Sequence, residues 1–395
     1  MALDDGSQAV ASIQSGTSIG KYEAVELRDQ DSKRYQGLGV LKAVANVNEK
    51  IAPKMVGMKA ENQLKIDQTL ILLDGTKNKA QLGANAILSV SQAVCEASAA
   101  SKKIPQFLYL AQLYGLKEKE LKVPTPILNL INGGKHGAGN LDFQEFHLIP
   151  SSQKVYHEQL RLGTEIYHQV EKVLIRHGAI HSVGDEGGFA PNLFTNSDAL
   201  EVLMEAIKES AYEFQKDVFI GLDVAASFFY KDGRYKIRDR TLPMTTENLV
   251  EFYRELVVQY PLAILEDPFA EDDWDGWIKL SQSLANTILV GDDLLATNKT
   301  RIQKAIKKKA CQAILVKPNQ IGTIAETIEV IKIARAANWK VVVSHRSGET
   351  NDDFIADFAV GVGADYAKFG APARGERLAK YNRLLKIEAE LKKEK

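Results

Sequence analysis

Apolar residues recur at helical spacing through residues 42–57, 60–73 and 82–100, predicting three helices in the first part of the chain. Ahead of them, Asp4-Asp5-Gly6 is a turn signal and predicts the tip of a hairpin. The third helical stretch, "LGANAILSVSQAVCEASAA", is rich in small residues, so it is expected to lie buried and close against another element. A charged run over residues 117–122 then gives way to "VPTPILNLINGG", where prolines and a new extended apolar run place a domain boundary. The expected division is an N-terminal α+β domain over residues 1–121 and a C-terminal domain over residues 122–395.

Past that boundary short apolar strands alternate with longer helical segments, the pattern of a parallel α/β arrangement. Six successive strands finish on ionisable residues: "VFIGLD" on Asp223, "LAILED" at Glu266, "TILVGDD" at Asp292, "AILVK" on Lys317, "VVVSHR" at His345 and Arg346, and "ADYAK" on Lys368. Their spacing is comparable with the roughly 31 residues per unit of an eight-unit β/α barrel. One such strand end is ordinarily solvated loop chemistry. Six in series are harder to dismiss, because a barrel gathers the carboxyl ends of all its strands on one face.

Composition changes this picture little. With 395 residues, 50 Lys plus Arg against 51 Asp plus Glu and 45% hydrophobic residues, the chain has the balance of a globular protein, not of a disordered or fibrous one. A formal charge of −1 argues against nonspecific nucleic-acid binding, and the basic run Lys307, Lys308, Lys309 reads as solvated surface. Cys95 and Cys311 stand far apart without a C-x-x-C pair, so neither a disulfide framework nor a thiolate metal site is expected and a reducing cytoplasm is the natural home. The start lacks the basic and apolar regions of a signal peptide, and no apolar run approaches a membrane span.

The rim chemistry follows from the residue types. Asp223, Glu266 and Asp292 offer hard oxygen ligands with no Cys or His interleaved, a set that favours Mg²⁺ or Mn²⁺ over Zn²⁺. Crowded carboxylates stay ionised most simply around a divalent cation. Lys317 and Lys368 face them from the opposite arc, and a desolvated lysine beside cations is expected to have a lowered pKa and to serve as a general base. Proton abstraction next to a carboxylate is the fitting reaction. In "SHRSGET", residues 344–350, Arg346 provides a planar fork for phosphate or carboxylate and Ser347 a hydroxyl donor. Two earlier acids, Glu145 in "FQEFHLIP" and Glu186 in "SVGDEGGFAPN", would raise one another's pKa if they met, leaving a carboxylic acid able to protonate a leaving group. "GDEGGFAP" lacks the G-x-x-x-x-G-K-[ST] spacing of a P-loop.

From about residue 14 onward the chain resembles the enolase family. The resemblance is carried by "SGTSIGKYEAVELRD", "GANAILSVS", "NLINGGKH", "QEFHLIP", "SVGDEGGFAPN", "ILEDPFAEDDW", "LVGDDLLATN", "NQIGTIAET", "SHRSGETNDDFIAD" and "GERLAKYNRLLKIE". It implies an α/β fold in which a small α+β cap precedes an eight-stranded β/α barrel with a ββαα start. It also implies Mg²⁺-dependent dehydration of 2-phosphoglycerate to phosphoenolpyruvate and the reverse, with two Mg²⁺ per active site. A lysine or histidine base working beside Mg²⁺ is the established pattern of the wider superfamily. Position by position, Asp223, Glu266 and Asp292 look like ligands of the first Mg²⁺, and Ser18 looks like a ligand of the second. Lys317 looks like the base at C2, and Glu186, supported by Glu145, like the acid at C3. Lys368 would bind the substrate carboxylate, Arg346 and Ser347 the phosphate. His136 and His345 would line the pocket, His136 on a loop that closes over the substrate.

The same resemblance implies a cytoplasmic homodimer without membrane span or specific nucleic-acid partner, with a cell-surface or secreted fraction known in the family. The sequence departs from the family pattern in places. The chain begins at "LDDGS", inside the family's N-terminal hairpin, so weakened dimerisation is an expectation. Ile19, Phe228, Pro318 and Phe369 also differ from the usual residues around the site. A second reading is a catalytically impaired enolase-fold protein kept for binding, for instance through the lysines of "ELKKEK" to plasminogen or to an RNA-degrading assembly. A third is another superfamily reaction on a carboxylate, against which the intact "SHRSGET" counts.

Overall fold

The computed structural model describes residues 1–16, 20–137 and 139–393. The turn at Asp4-Asp5-Gly6 closes a short bridge between Ala2 and Gln8, with the Leu3 N–H donating to the Ser7 carbonyl at 2.9 Å. The first predicted helix is one helical run in three parts: α1 (Leu41–Ala45), a wider π turn (Asn46–Ile51) and α2 (Ala52–Met55). Helix α3 (Gln63–Asp74) starts where the Asn62 side chain accepts the Lys65 N–H and stops at Gly75, whose φ of 70° few other residues adopt at so little cost. Helix α4 (Ala84–Lys102) is the small-residue stretch; its Ala and Ser faces let it lie against α3 and the barrel's outer helices. Helix α5 (Gln106–Tyr114) was not foreseen, being only nine residues long and begun by Pro105.

The second part is a closed barrel. Strand β1 (Thr125–Asn132) runs antiparallel to β2 (Glu145–Pro150), helices α6 (Tyr156–Arg176) and α7 (Asn196–Lys208) follow, and β3 (Val218–Asp223) returns antiparallel to β2. A hairpin, β4 (Tyr230–Lys231) and β5 (Arg234–Tyr235), decorates the loop after β3. Regular βα units then follow: α8 (Thr246–Gln259), β6 (Leu262–Glu266), α9 (Trp274–Ser283), β7 (Ile288–Gly291), α10 (Lys299–Lys308), β8 (Ala313–Val316), α11 (Ile324–Ala336), β9 (Lys340–Ser344), α12 (Phe354–Gly361) and β10 (Tyr366–Lys368). Helix α13 (Gly375–Lys393) closes the described chain. Around the barrel the order is β1-β10-β9-β8-β7-β6-β3-β2. The ββαα start implied by the resemblance is what the chain forms. No described helix is long and apolar enough to cross a membrane.

Period two along the strands builds the barrel interior in layers. Ile127, Ile149, Ile264, Val290, Leu315 and Val342 form one cluster within it, separate from the larger core between strands and helices. Two residues further along four of the parallel strands the inward position changes character: Ile264 is followed by Glu266, Val290 by Asp292, Leu315 by Lys317 and Tyr366 by Lys368. The apolar plug below and the ionisable ring above therefore follow from one alternation.

Candidate active site

The ring surrounds a narrow pocket, open at its mouth and lined by Glu145, Glu186, Asp223, Asp292, Lys317 and Lys368 among others. Register brings Glu145 on β2 directly opposite Asp223 on β3, and Asp223 opposite Glu266 on β6. The Lys368 ammonium sits among these three, 3.1 Å from Glu145 Oε2, 3.1 Å from Asp223 Oδ2 and 2.9 Å from Glu266 Oε1. Asp292 turns to the other lysine: Lys317 Nζ donates to its Oδ2 at 2.5 Å, and Gln320 Nε2 lies 3.3 Å from its Oδ1.

These pairings set the charge states. Burial drives the Glu266 carboxyl well above the usual carboxylate range, and the neighbouring Asp223 charge pushes the same way. Lys317 departs from expectation. Burial pulls its pKa down, yet the adjacent Asp292 carboxylate, with Glu23 adding to it, leaves the ammonium above the ordinary lysine value. A lowered pKa thus requires the Asp292 charge to be engaged elsewhere. Lys368, also buried, is held well above the lysine range by Asp223, Glu145 and Glu266.

Glu145 and Glu186 do meet. The His136 Nδ1 lies 3.7 Å from Glu145 Oε1 and 3.4 Å from Glu186 Oε1, so one ring joins the two acids. Burial, then the Glu186 charge, raises Glu145 well above the carboxylate range. Glu186 goes the other way: burial would raise it, but His136, His345 and Arg377 together hold it well below. The two carboxyls are pushed apart, Glu145 toward its protonated form and Glu186, the residue expected as the acid, toward its ionised form. Burial drives His345 down to about 3, so its ring is neutral at pH 7. Arg377 Nη1, which can only donate, lies 2.6 Å from His345 Nδ1, so the ring proton is on Nε2, 3.5 Å from Glu186 Oε2. Asn129 Nδ2 adds a donor to Glu186 at 2.9 Å.

The phosphate-side residues stand on the loop after β9. Arg346 is 5% exposed, and its Nη1 donates to Glu23 Oε2 and to Asn319 Oδ1, both at 2.9 Å. Ser347 lines the same pocket, and its carbonyl accepts from Arg377 Nη2 at 2.6 Å. Gly348 pairs with Ser15 through two backbone hydrogen bonds of 2.8 and 2.9 Å. A Cβ at residue 348 would come within 2.7 Å of the Ser15 carbonyl oxygen, so this approach of the N-terminal segment needs glycine. Ser18, expected at the second metal, lies outside the described residues.

Comparisons with known proteins decide the family. The model of the enolase C-terminal TIM barrel domain matches residues 120–395 and that of the enolase N-terminal domain residues 1–110. A curated protein named enolase, from Elusimicrobium minutum (strain Pei191), is 49% identical over 392 residues, covering 99% of this chain and 91% of that protein. The chain belongs to the enolase family. It is a lyase, a phosphopyruvate hydratase of glycolysis.

An enolase implies a divalent metal, and the donors here fit one. Among the described residues, ligand atoms of Asp267, Asp292 and Asp293 lie within 4.8 Å of one another, as do those of His136, Glu145 and Glu186. Burial raises Asp267 well above the carboxylate range and brings Asp293 up to about 7, with neighbouring acids adding to both. A pocket that presses its own carboxyls toward neutrality is one a hard cation would relieve. The ammonium of Lys368 already stands where a positive charge is wanted, between Asp223 and Glu266.

Sequence reasoning passed over several enolase residues that the fold brings to this pocket. Asp267 and Asp293 each follow a singled-out acid directly, and the doublets "ED" and "DD" at two successive strand ends were a usable signal. Asp267 accepts the backbone N–H groups of Asp292 and Asp293 at 3.0 and 2.6 Å and so fixes the turn that presents them. Glu23 and Arg377 gave no such signal. Arg377 on α13 is fully buried and bonds the carbonyls of Asp185, Arg346 and Ser347, tying two loops to one guanidinium.

Proposed function

We propose that this enolase removes the C2 proton of 2-phosphoglycerate with Lys317 Nζ and expels the C3 hydroxyl as water with a proton from the Glu145–Glu186 pair. The observation that carries this reading is the placement of a largely buried lysine and a charge-split carboxyl pair around one pocket. The C–H electrons pass into the substrate carboxylate, which Lys368 faces with its ammonium, and return to form the C2=C3 bond as the hydroxyl leaves. Lys317 ends protonated and the acid pair one proton short; in the reverse direction both transfers invert. His136 and the Nε2–H of His345 hold the carboxyl pair in place, and Arg346 with Ser347 takes the phosphate.

We assign the cation as Mg²⁺, two per active site, held by Asp223, Glu266 and Asp292, with Ser18 at the second. When bound it would supply positive charge against the substrate carboxylate and draw the Asp292 charge away from Lys317. That change is the one Lys317 needs. With its counter-ion engaged, burial and the neighbouring Arg346 and Lys368 all favour its neutral form. We further propose a cytoplasmic homodimer with no specific nucleic-acid partner, in keeping with the near-zero net charge. Sedimentation at assay concentration tests the dimer.

The test of the reaction is the ultraviolet absorbance of phosphoenolpyruvate formed from 2-phosphoglycerate, with and without Mg²⁺. Turnover that requires the cation is the expected result. Folded, cation-saturated protein that leaves 2-phosphoglycerate untouched would overturn it.

A further inference from the structure

The guanidinium assigned to the substrate phosphate is held by a residue that no reading of the site has used. We infer that Glu23 is a positioning residue, fixing the orientation of Arg346 and tying it to the backbone turn at residues 20–23. The inference rests on the reading of Arg346 as the phosphate-binding group.

Glu23 comes from the cap, yet its side chain is only 5% exposed and lies against the barrel rim. Its Oε2 accepts Arg346 Nη1 at 2.9 Å, and its Oε1 lies 3.4 Å from Nη2. The same Nη1 donates to Asn319 Oδ1 at 2.9 Å. An Nη group carries two hydrogens, so these two acceptors engage both and fix the plane of the fork. A guanidinium so held presents a fixed edge to a dianionic phosphate instead of sampling many orientations, which is what preorganisation requires.

The second half of the inference is what Glu23 itself stands on. Its Oε1 accepts the Gly20 N–H at 2.8 Å, and its own N–H donates back to the Gly20 carbonyl at 3.3 Å, closing a turn in both directions. Three segments of the barrel domain anchor that turn. Ala24 N–H donates to the Gln320 carbonyl at 2.8 Å, Lys21 Nζ pairs with Asp272 at 3.1 Å, and the Tyr22 ring lies 3.7 Å from the Arg301 guanidinium carbon. Glu23 thus links a braced backbone turn to the arginine, and its negative charge keeps a buried guanidinium compensated before phosphate arrives.

A carboxylate beside a phosphate seat also repels the dianion, and this is the opposing effect. If repulsion won, removing Glu23 would tighten phosphate binding; if positioning wins, removal weakens it. The hydrogen-bond geometry favours positioning, since Glu23 reaches both Nη1 and Nη2 and Asn319 shares Nη1 with it, so the guanidinium is held in one plane.

The experiment measures inorganic phosphate as a competitive inhibitor of 2-phosphoglycerate turnover in Mg²⁺ buffer, together with KM, kcat and thermal unfolding, for wild type, Glu23→Ala, Glu23→Gln and Arg346→Gln. Glu23→Ala is expected to weaken phosphate inhibition at least about tenfold and to raise KM more than it lowers kcat, because a charge-assisted contact that orients the fork is lost. Glu23→Gln keeps an acceptor for Nη1 and should recover part of that loss. Unchanged or tighter phosphate inhibition in Glu23→Ala overturns the inference, as does a loss confined to thermal stability. Arg346→Gln separates the two layers. If it abolishes phosphate inhibition while Glu23→Ala does not, only the role of Glu23 fails; if it leaves phosphate inhibition intact, the assignment of Arg346 itself fails.

Discussion

Lys317 and Glu186 sit in the same buried pocket but carry different burdens, and single substitutions separate them. Lys317 is protonated as it stands because Asp292 holds the proton on it, so its removal takes away the only route assigned to the C2 proton. Lys317→Ala should lower kcat by about 10² to 10⁴ and abolish exchange of the C2 proton with solvent deuterium. Glu186→Gln keeps the size and a hydrogen-bonding amide but can neither take up nor pass on the proton that the Glu145–Glu186 pair holds; dehydration should fall by a similar factor of about 10² or more while C2 exchange persists. Exchange that survives in Lys317→Ala, or that disappears in Glu186→Gln, would contradict the division of labour. At this scale the sequence was generous for residues that end a strand, because the inward alternation alone places Asp223, Glu266, Lys317 and Lys368 on one ring. It was silent on Glu23 and Arg377, whose importance lies in tertiary approach: each reaches the pocket from an element with no periodic signal of its own.

Between elements, buried polar contacts and not only apolar packing hold the cap on the barrel. Asp67 on α3 accepts Gln63 Nε2 at 3.0 Å and, at 2.8 Å, the N–H of Ala325 in the first turn of α11; Ser91 on α4 accepts the N–H of Ile324 at 3.0 Å. Asp67 thereby satisfies an otherwise orphaned helix donor across the domain boundary. Burial nevertheless raises its pKa from 3.8 to about 6. Across that window the folded chain retains a proton that the unfolded chain has released, so ν_U is smaller than ν_N and stability falls as pH rises. Below it both states hold the proton and the effect vanishes; above it the loss is complete, roughly 3 kcal/mol for about two units. Asp67→Asn cannot titrate. Urea unfolding of both proteins at several pH values should show wild type losing about 3 kcal/mol relative to Asp67→Asn between about pH 3 and pH 8. Parallel stability curves would mean that Asp67 does not change protonation on folding. None of this coupling was legible beforehand: helical periodicity located α3 and α4, but it carries no record of which helix end meets which side chain. The short α5 and the π turn at Asn46–Ile51 escaped for a related reason, since a nine-residue helix and one extra backbone residue per turn leave little periodic trace.

At the scale of the whole molecule, the proposed division into residues 1–121 and 122–395 is a division of the chain and need not be one of stability. The cap reaches the barrel through Asp67, Ser91, Glu23 and Ser15, and through the Lys79–Glu326 ion pair at 3.0 Å, so loosening either part exposes buried polar groups of the other. The pocket meanwhile gathers more carboxylates than cations, and Glu266, Asp267 and Glu145 are all pushed toward their neutral forms. A divalent cation that binds the folded pocket and not the unfolded chain stabilises by mass action, about 2.7 kcal/mol at a hundred times its Kd. If cap and barrel unfold together, that stabilisation must appear in both. Trp274, Trp277 and Trp339 all lie beyond residue 122, so tryptophan fluorescence follows the barrel alone while far-ultraviolet dichroism follows the helices of both parts. Melting with excess Mg²⁺ against EDTA should raise the midpoint of both signals by the same amount, and Asp292→Asn should shrink the rise in both. A dichroism transition that precedes the fluorescence transition and ignores Mg²⁺ would show the cap melting on its own, and would make the contacts at Glu23 and Asp67 a docking of two independent units.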